Sequence, residues 1–138
     1  MIILDTNVLS EVVKPEPSKR VMRWLRSISE ETGTTAVNEA ELRAGLRVMP
    51  DGQRRRELEN VLLGQLEQFH SAGSILSFDH SASIQYADIL AIRRSAGRPI
   101  SPQDAMIAAI CRSSDAALAT RNVRDFKGLG LKLMNPWE

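Results

Sequence analysis

The chain has 138 residues, about the length of one domain, and its 43% hydrophobic and 25% charged residues exclude a disordered or fibrous protein. Its net charge is only +1, which argues against a strongly basic nucleic-acid coat, and its single cysteine excludes a disulfide framework and a cysteine-based zinc site. Because it has neither a basic start before its short apolar opening nor an apolar segment of about 20 residues, we expect a soluble, cytoplasmic protein in which residues 1–138 form a single domain.

The first half of the chain predicts two strands, each followed by helical segments. Ile2–Leu4 is a short apolar run typical of a strand that is buried on both faces, and residues 32–37 form a second, β-branched run. The segment from Asn38 to Glu41 has the pattern of a capping box that opens the next helix. Further helices are expected over residues 8–13, from Ser18 onward, and over residues 53–70.

The second half continues the alternation of strands and helices. Residues 74–78 predict a third strand, and Ser81 can cap a helix that runs to residue 96. Ser101 and the proline after it predict the start of a helix over residues 102–112, which is apolar on nearly every side and should be buried. Two last strands are expected at residues 116–119 and 131–134. This alternation predicts an α/β fold with a parallel sheet that is covered on both faces.

Three carboxylates fall where the strands of such a sheet end. Asp5 follows the first strand, Glu41 lies in the predicted first turn of the helix after the second strand, and Asp104 lies in the first turn of the buried helix. Ligands of open parallel sheets gather at this edge. If the strand order brings the acids together, their repulsion would recruit Mg²⁺ or Mn²⁺, which suits metal-assisted phosphodiester hydrolysis. The alternative is that Glu41 and Asp104 only cap their helices.

Other residues point less clearly to a function. His70 and His80 have no acidic partner nearby in the sequence, so we expect both at the surface and find no support for a histidine acid–base nuclease. The arginines come in clusters that solvated helix faces explain by default, while those near strand ends could hold backbone phosphates; Arg43 and Arg121 are the candidates. Aromatic residues make up only 4% of the chain, which argues against recognition by base stacking.

Four motifs, in the same order, resemble those of the PIN-domain nucleases, and in particular the VapC toxins of bacterial VapBC toxin–antitoxin pairs. They cover nearly the whole chain, and the ending Asn-Pro-Trp is similar to the FitB-like subgroup. The motifs are IILDTN (residues 2–7), NEAELRAG (38–45), SPQDAMIAA (101–109) and ATRNVRDF (119–126).

The resemblance implies a single PIN domain over residues 1–138, folded as a three-layer α/β/α sandwich around a mostly parallel sheet. It implies that Asp5, Glu41 and Asp104 bind Mg²⁺ or Mn²⁺ and activate water to cleave RNA, as in an endoribonuclease. One position departs from the family pattern: Asn122 stands where many relatives carry a fourth aspartate, so a second metal site stays an open question. The auxiliary residues implied by the resemblance are Thr6, Thr120, Asn122 and Asp125.

The resemblance also implies partners. They are a second copy of the chain in a homodimer, and an antitoxin of the VapB or FitA type that blocks the site with a basic side chain and supplies the DNA binding. Two other readings stay open: a PIN-fold binding module with little cleavage that acts in a DNA-bound complex, and a structure-selective DNA nuclease. The balanced charge weighs against the last, because a grip on duplex DNA usually needs a wider basic surface.

Overall fold

Five short parallel strands form one sheet in the computed structural model, which describes residues 1–138. The first strand is central, and the order is β3-β2-β1-β4-β5. The α/β class and the parallel sheet predicted from the sequence are confirmed. The strands are β1 (Ile2–Leu4), β2 (Thr32–Thr35), β3 (Ile75–Leu76), β4 (Ala117–Ala119) and β5 (Leu133–Met134).

Seven helices cover the two faces of the sheet. Side chains of a strand point alternately to opposite faces, so Ile3 packs in one core with α5, α6 and α7, while Ile2 and Leu4 pack in the other with α1, α3 and α4. The result is the predicted three-layer arrangement. The helices are α1 (Thr6–Val12), α2 (Lys19–Ser27), α3 (Ala36–Val48), α4 (Gln53–Ser71), α5 (His80–Ser95), α6 (Pro102–Ser113) and α7 (Val123–Phe126).

Two of the predicted helix starts are correct. The helix predicted from Ser18 onward is α2, which Ser18 caps, and Ser101 caps α6 with Pro102 in its first turn, as predicted. The prediction of a capping box from Asn38 to Glu41 was wrong. Thr35 is the cap, since its hydroxyl accepts the backbone N–H of Asn38 at 3.1 Å, and α3 begins at Ala36. Glu41 therefore lies in the second turn of α3 and not in the first.

Two further features differ from the predictions, and one confirms them. Asp79, not Ser81, caps α5, because its carboxylate accepts the backbone N–H of Ala82 at 2.9 Å. The short helix α7 was not predicted, and Phe126 anchors it in the core. Helix α6 is buried along most of its length, as its composition predicted. None of the helices combines the length and the apolar character needed to cross a membrane.

Candidate active site

Asp5 follows the central strand directly, its carboxylate is buried, and both of its oxygens accept hydrogen bonds. Its Oδ1 accepts hydrogen bonds from the backbone N–H of Thr6 at 2.9 Å and from the amide Nδ2 of Asn38 at 2.9 Å. Its Oδ2 accepts the hydroxyl of Thr120 at 2.6 Å. These donors come from the start of α1, from α3 and from the residue after β4, so the ends of the three neighbouring strands meet on one carboxylate.

Asn38 is the residue that sequence reasoning missed, because it was interpreted only as part of a helix cap. It is completely buried. Its Oδ1 accepts the hydroxyl of Thr35 at 2.7 Å, and its Nδ2 also donates to the hydroxyl oxygen of Thr6 at 3.0 Å. The signal available in the sequence was an amide at the third position of a helix after a β-branched strand, beside one of the recognised motifs.

Thr120, a predicted auxiliary residue, joins the ends of β1 and β4. While it donates to Asp5, its oxygen accepts the side-chain amide of Asn7 at 3.3 Å and the backbone N–H of Asn122 at 3.1 Å. Asn7 in turn accepts the backbone N–H of Arg121 at 3.2 Å. Asn7 was also missed as a site residue. Its hydrogen bonds hold the segment after β4 against the start of α1.

Glu41 stands at the rim of the site, in the second turn of α3. The hydroxyl of Thr6 donates to its Oε2 at 3.5 Å, at the outer limit of a hydrogen bond. Although the residue is exposed overall, partial desolvation raises the pKa of its carboxyl, and the charges of Asp5 and Asp104 raise it further. Thr6 opposes this shift. The ionised form of Glu41 is therefore disfavoured by its acidic neighbours.

Asp104 occupies the third position of α6, as predicted, and its backbone N–H donates to the Ser101 hydroxyl at 3.1 Å. Burial raises the pKa of its carboxyl, and the charges of Asp5 and Asp125 add to that rise. A hydrogen bond with Ser101 and the positive charge of Arg93 oppose it. Asp104 therefore fits both roles considered for it. It lies in the first turn of its helix, where a carboxylate can cap, and it is close enough to the other acids for their charges to act on it.

The three predicted acids lie at one edge of the sheet, but their carboxylates do not converge on a single point. No three acidic, histidine or cysteine side chains converge as ligands of one ion. None of the three forms a direct ion pair with a lysine or arginine; the nearest compensation is the more distant positive charge of Arg93 on Asp104. Hard carboxylate oxygens that repel one another fit Mg²⁺ or Mn²⁺. The donor set therefore suits a divalent cation, with Asp5 fixed in place and the other two acids free to adjust.

The remaining predicted residues lie around this centre. Asn122 is exposed and makes no side-chain cap on α7, whereas Asp125 is close enough for its charge to act on Asp104. Arg43 is paired with Glu39 at 2.9 Å, and the guanidinium of Arg121 lies 5.0 Å from the ring centroid of Trp137. Neither arginine contacts an acid of the site. Both histidines are exposed, as predicted.

A shallow hollow of about 210 Å³ adjoins the site between α1, α3 and α4, with Thr6, Glu41 and Leu46 in its lining. Leu46 also lines a neighbouring hollow of about 260 Å³ that carries Arg43, Arg47 and Arg55. The two hollows share only Leu46, and the second carries a basic cluster on α3 and α4.

The chain is similar to known proteins over nearly its whole length. The PIN domain family matches residues 2–130. The chain is 42% identical to VapC ribonuclease Y4jK of Sinorhizobium fredii, over 100% of this chain and 99% of that protein, and 38% identical to toxin FitB of Neisseria gonorrhoeae, over 99% of each. A solved structure of FitAB bound to an IR36 DNA fragment superposes with a TM-score of 0.92 at 34% identity, covering 100% of this chain and 96% of the other.

Proposed function

The chain belongs to the PIN-domain family, in the group of the VapC ribonucleases and the FitB toxins, and on that premise we propose that it is a Mg²⁺- or Mn²⁺-dependent endoribonuclease that serves as the toxin of a toxin–antitoxin pair. The observation that carries the proposal is that Asp5, Glu41 and Asp104 lie at one edge of the sheet, close enough for their charges to raise the pKa values of Glu41 and Asp104, with no direct ion pair to a lysine or arginine. Residues 1–138 would form one PIN domain.

In this proposal, the three acids hold the ion in different ways. Asp5, fixed by its three hydrogen bonds, is the rigid ligand, and Asp104 and Glu41 supply the other oxygens. A bound Mg²⁺ or Mn²⁺ would lower the pKa of a coordinated water and offset charge on the phosphodiester. Glu41, at the rim and with a raised pKa, is placed to accept the proton of the attacking water at Oε2. Thr6 orients that carboxylate.

The surface beside the site suits an RNA backbone. Arg43, Arg47 and Arg55 line the hollow that adjoins the one next to Glu41, and Arg47 is free of any ion pair. Arginines bind phosphates without reading the bases, so this cluster would hold the strand and leave the scissile phosphate over the acids. Arg121, beside Thr120 on the opposite side, would bind the backbone beyond the cut.

Acids that form no ion pair within the chain also suit an inhibitor with a basic side chain. The related FitAB structure contains FitB together with FitA and DNA. We therefore include in the proposal an antitoxin of the FitA or VapB type that inserts a basic side chain between the acids, and DNA contact through that antitoxin. A homodimer of this chain, with a higher toxin–antitoxin assembly around it, completes the set of partners.

The test is cleavage of labelled single-stranded RNA by the purified, antitoxin-free protein in Mg²⁺, in Mn²⁺ or in EDTA. Asp104→Asn, purified identically, controls for contaminating ribonuclease, and Asp88→Asn removes an exposed acid elsewhere as a matched control. We expect metal-dependent cutting by the wild type and by Asp88→Asn only. Equal cutting by Asp104→Asn would contradict the proposal. Absence of cutting across varied RNAs by folded protein would favour a binding module, and preference for structured DNA would favour a DNA nuclease.

A further inference from the structure

Arg93, near the C-terminal end of α5, is buried although its cluster of arginines predicted a solvated helix face. Only 5% of the residue is exposed. Its Nη2 donates to the backbone carbonyls of Asp125 at 2.6 Å and Lys127 at 3.0 Å, and its Nη1 donates to the carbonyl of Arg98 at 3.4 Å. The guanidinium forms no ion pair with a carboxylate. A buried arginine is thus committed to three backbone oxygens.

The carbonyls that Arg93 binds explain why a buried charge is tolerated there. Helix α7 has four residues, too few to be stable alone. Its C-terminal carbonyls lack helical partners and carry partial negative charge, which favours a cation. Arg93 donates hydrogen bonds to these oxygens, while the side chain of Phe126 anchors the same turn in the core. Removal of the guanidinium would leave the turn held on one side only.

The two segments that Arg93 joins are those that carry two of the acids. Arg98 belongs to the connection that leads into α6, which carries Asp104 in its first turn. The carbonyls of Asp125 and Lys127 belong to α7 and its cap. Arg98 strengthens the same junction, since its Nη2 donates to the carbonyl of Arg124 at 3.3 Å. The charge of Asp125 reaches Asp104 across this junction.

We infer that Arg93 is a positioning residue: it holds the α7 turn, and with it Asp125, against the segment that leads into α6, and so fixes the negative charge of Asp125 relative to Asp104. The inference rests on the proposed function. Arg93 acts through backbone carbonyls and would not touch the ion or the RNA. Asn122 remains at the exposed start of the turn, where its backbone N–H binds Thr120.

The test is a double-mutant cycle read out as Mn²⁺ affinity, measured by calorimetry on purified protein without RNA. Arg93→Met keeps the length of the side chain and removes its donors, and we expect a loss of about tenfold in affinity, as for other supporting residues of metal sites. Asp125→Asn should lose about as much. The double variant should lose no more than either single one, because Arg93 holds the turn that carries Asp125, and the loss of its positive charge near Asp104 would favour a bound cation rather than weaken its binding. Arg94→Met, at the exposed next position, should match the wild type.

Three outcomes would overturn the inference. Folded Arg93→Met with wild-type Mn²⁺ affinity would do so, as would a full further loss when Arg93→Met is added to Asp125→Asn. If Arg93→Met does not fold, Arg93→Lys carries the cycle, because an ammonium keeps the charge but cannot reach all three carbonyls. If the wild type does not bind Mn²⁺, the proposed function fails and this inference fails with it; binding without any effect of Arg93 defeats only the inference.

Discussion

The acids of the site are held in two different ways, and the difference separates structure from chemistry. The Asp5 carboxylate is buried, and hydrogen bonds from Thr6, Asn38 and Thr120 reach both of its oxygens. We call these four residues the Asp5 corner. The two helical acids, Glu41 and Asp104, face the opening of the site, and desolvation together with the neighbouring charges raises the pKa of each.

This contrast indicates a division of labour. A carboxylate that receives several hydrogen bonds contributes to stability and stays in one orientation. Carboxylates that repel their neighbours lower the stability of the metal-free protein and gain most from a cation. We therefore expect changes at the Asp5 corner to lower both stability and activity, and changes at the helical acids to lower activity without lowering the stability of the metal-free protein.

The largest effect is expected for Asp5→Asn. The new amide group would point a donor at Thr120, whose oxygen already accepts two hydrogen bonds, so the network must break. We expect a loss of about 1–3 kcal/mol in the free energy of unfolding, measured by urea titration, and a loss of RNA cleavage of about 10³-fold. Unchanged stability would show that the hydrogen bonds of this corner do not support the fold.

The next effect is expected for Asp104→Asn, which removes a repelled charge and one ligand. We expect cleavage to fall about 10³-fold, while the unfolding midpoint of the metal-free protein at neutral pH stays equal or rises. Added Mn²⁺ should raise the midpoint of the wild type and not that of the variant. A variant less stable than the wild type without metal would contradict the division proposed for the two groups of acids.

Thr120→Val tests the corner with a smaller change. Valine keeps the volume but removes the hydroxyl that donates to Asp5 at 2.6 Å. We expect a loss of about 2 kcal/mol in stability, since this bond is made to a buried charge, and about tenfold weaker Mn²⁺ binding. Thr120→Ser retains the hydroxyl and should restore most of both quantities. If serine is as damaging as valine, the methyl group and not the hydrogen bond is what matters.

A pH titration of stability separates the helical acids from the rest of the protein. A carboxyl whose pKa is raised by folding contributes its full stability below its unfolded pKa, 4.5 for Glu41 and 3.8 for Asp104, and loses it as the pH rises through the folded value. The metal-free wild type should therefore lose stability relative to Glu41→Gln/Asp104→Asn as the pH rises from about 4 towards neutrality. Identical slopes for the two proteins would contradict the raised pKa values.

The smallest effect is expected at the basic surface. Arg43→Gln should weaken RNA binding only severalfold and lower the slope of log affinity against log salt concentration by about 1, because one phosphate contact is lost. Arg26→Gln, an exposed change on α2, is the matched control. An unchanged salt slope for Arg43→Gln would remove this arginine from the path of the RNA.

Local patterns in the sequence were sufficient for part of this structure. The helix from Ser18 onward, the cap at Ser101 and the buried character of α6 follow from a few adjacent residues, and they were predicted correctly. The position of Asp5 at the end of a buried strand was equally visible. The order of the strands was not, because it depends on pairing between segments far apart in the chain.

The residues that were missed or misplaced depend on such distant partners. Asn38 matters because Asp5, 33 positions earlier, accepts its amide, and Arg93 is buried because carbonyls 32 and 34 positions later accept its guanidinium. The start of α3 was misplaced because Thr35 continues the β-branched run of β2 and also caps the helix. Helix α7 is too short to show a periodic pattern.

The location of a bound ion tests the proposed metal site most directly, and it can be seen as Mn²⁺-induced broadening of backbone amide signals in the NMR spectrum of the full chain. We predict broadening at residues 4–6, 38–41, 104–105 and 120–122, where the three acids meet. Glu30 and Asp115 line a cavity next to Met1 and Ile2 at the opposite end of the strands. Broadening centred there would contradict a metal site formed by the three acids. Absence of any localised broadening would contradict it equally.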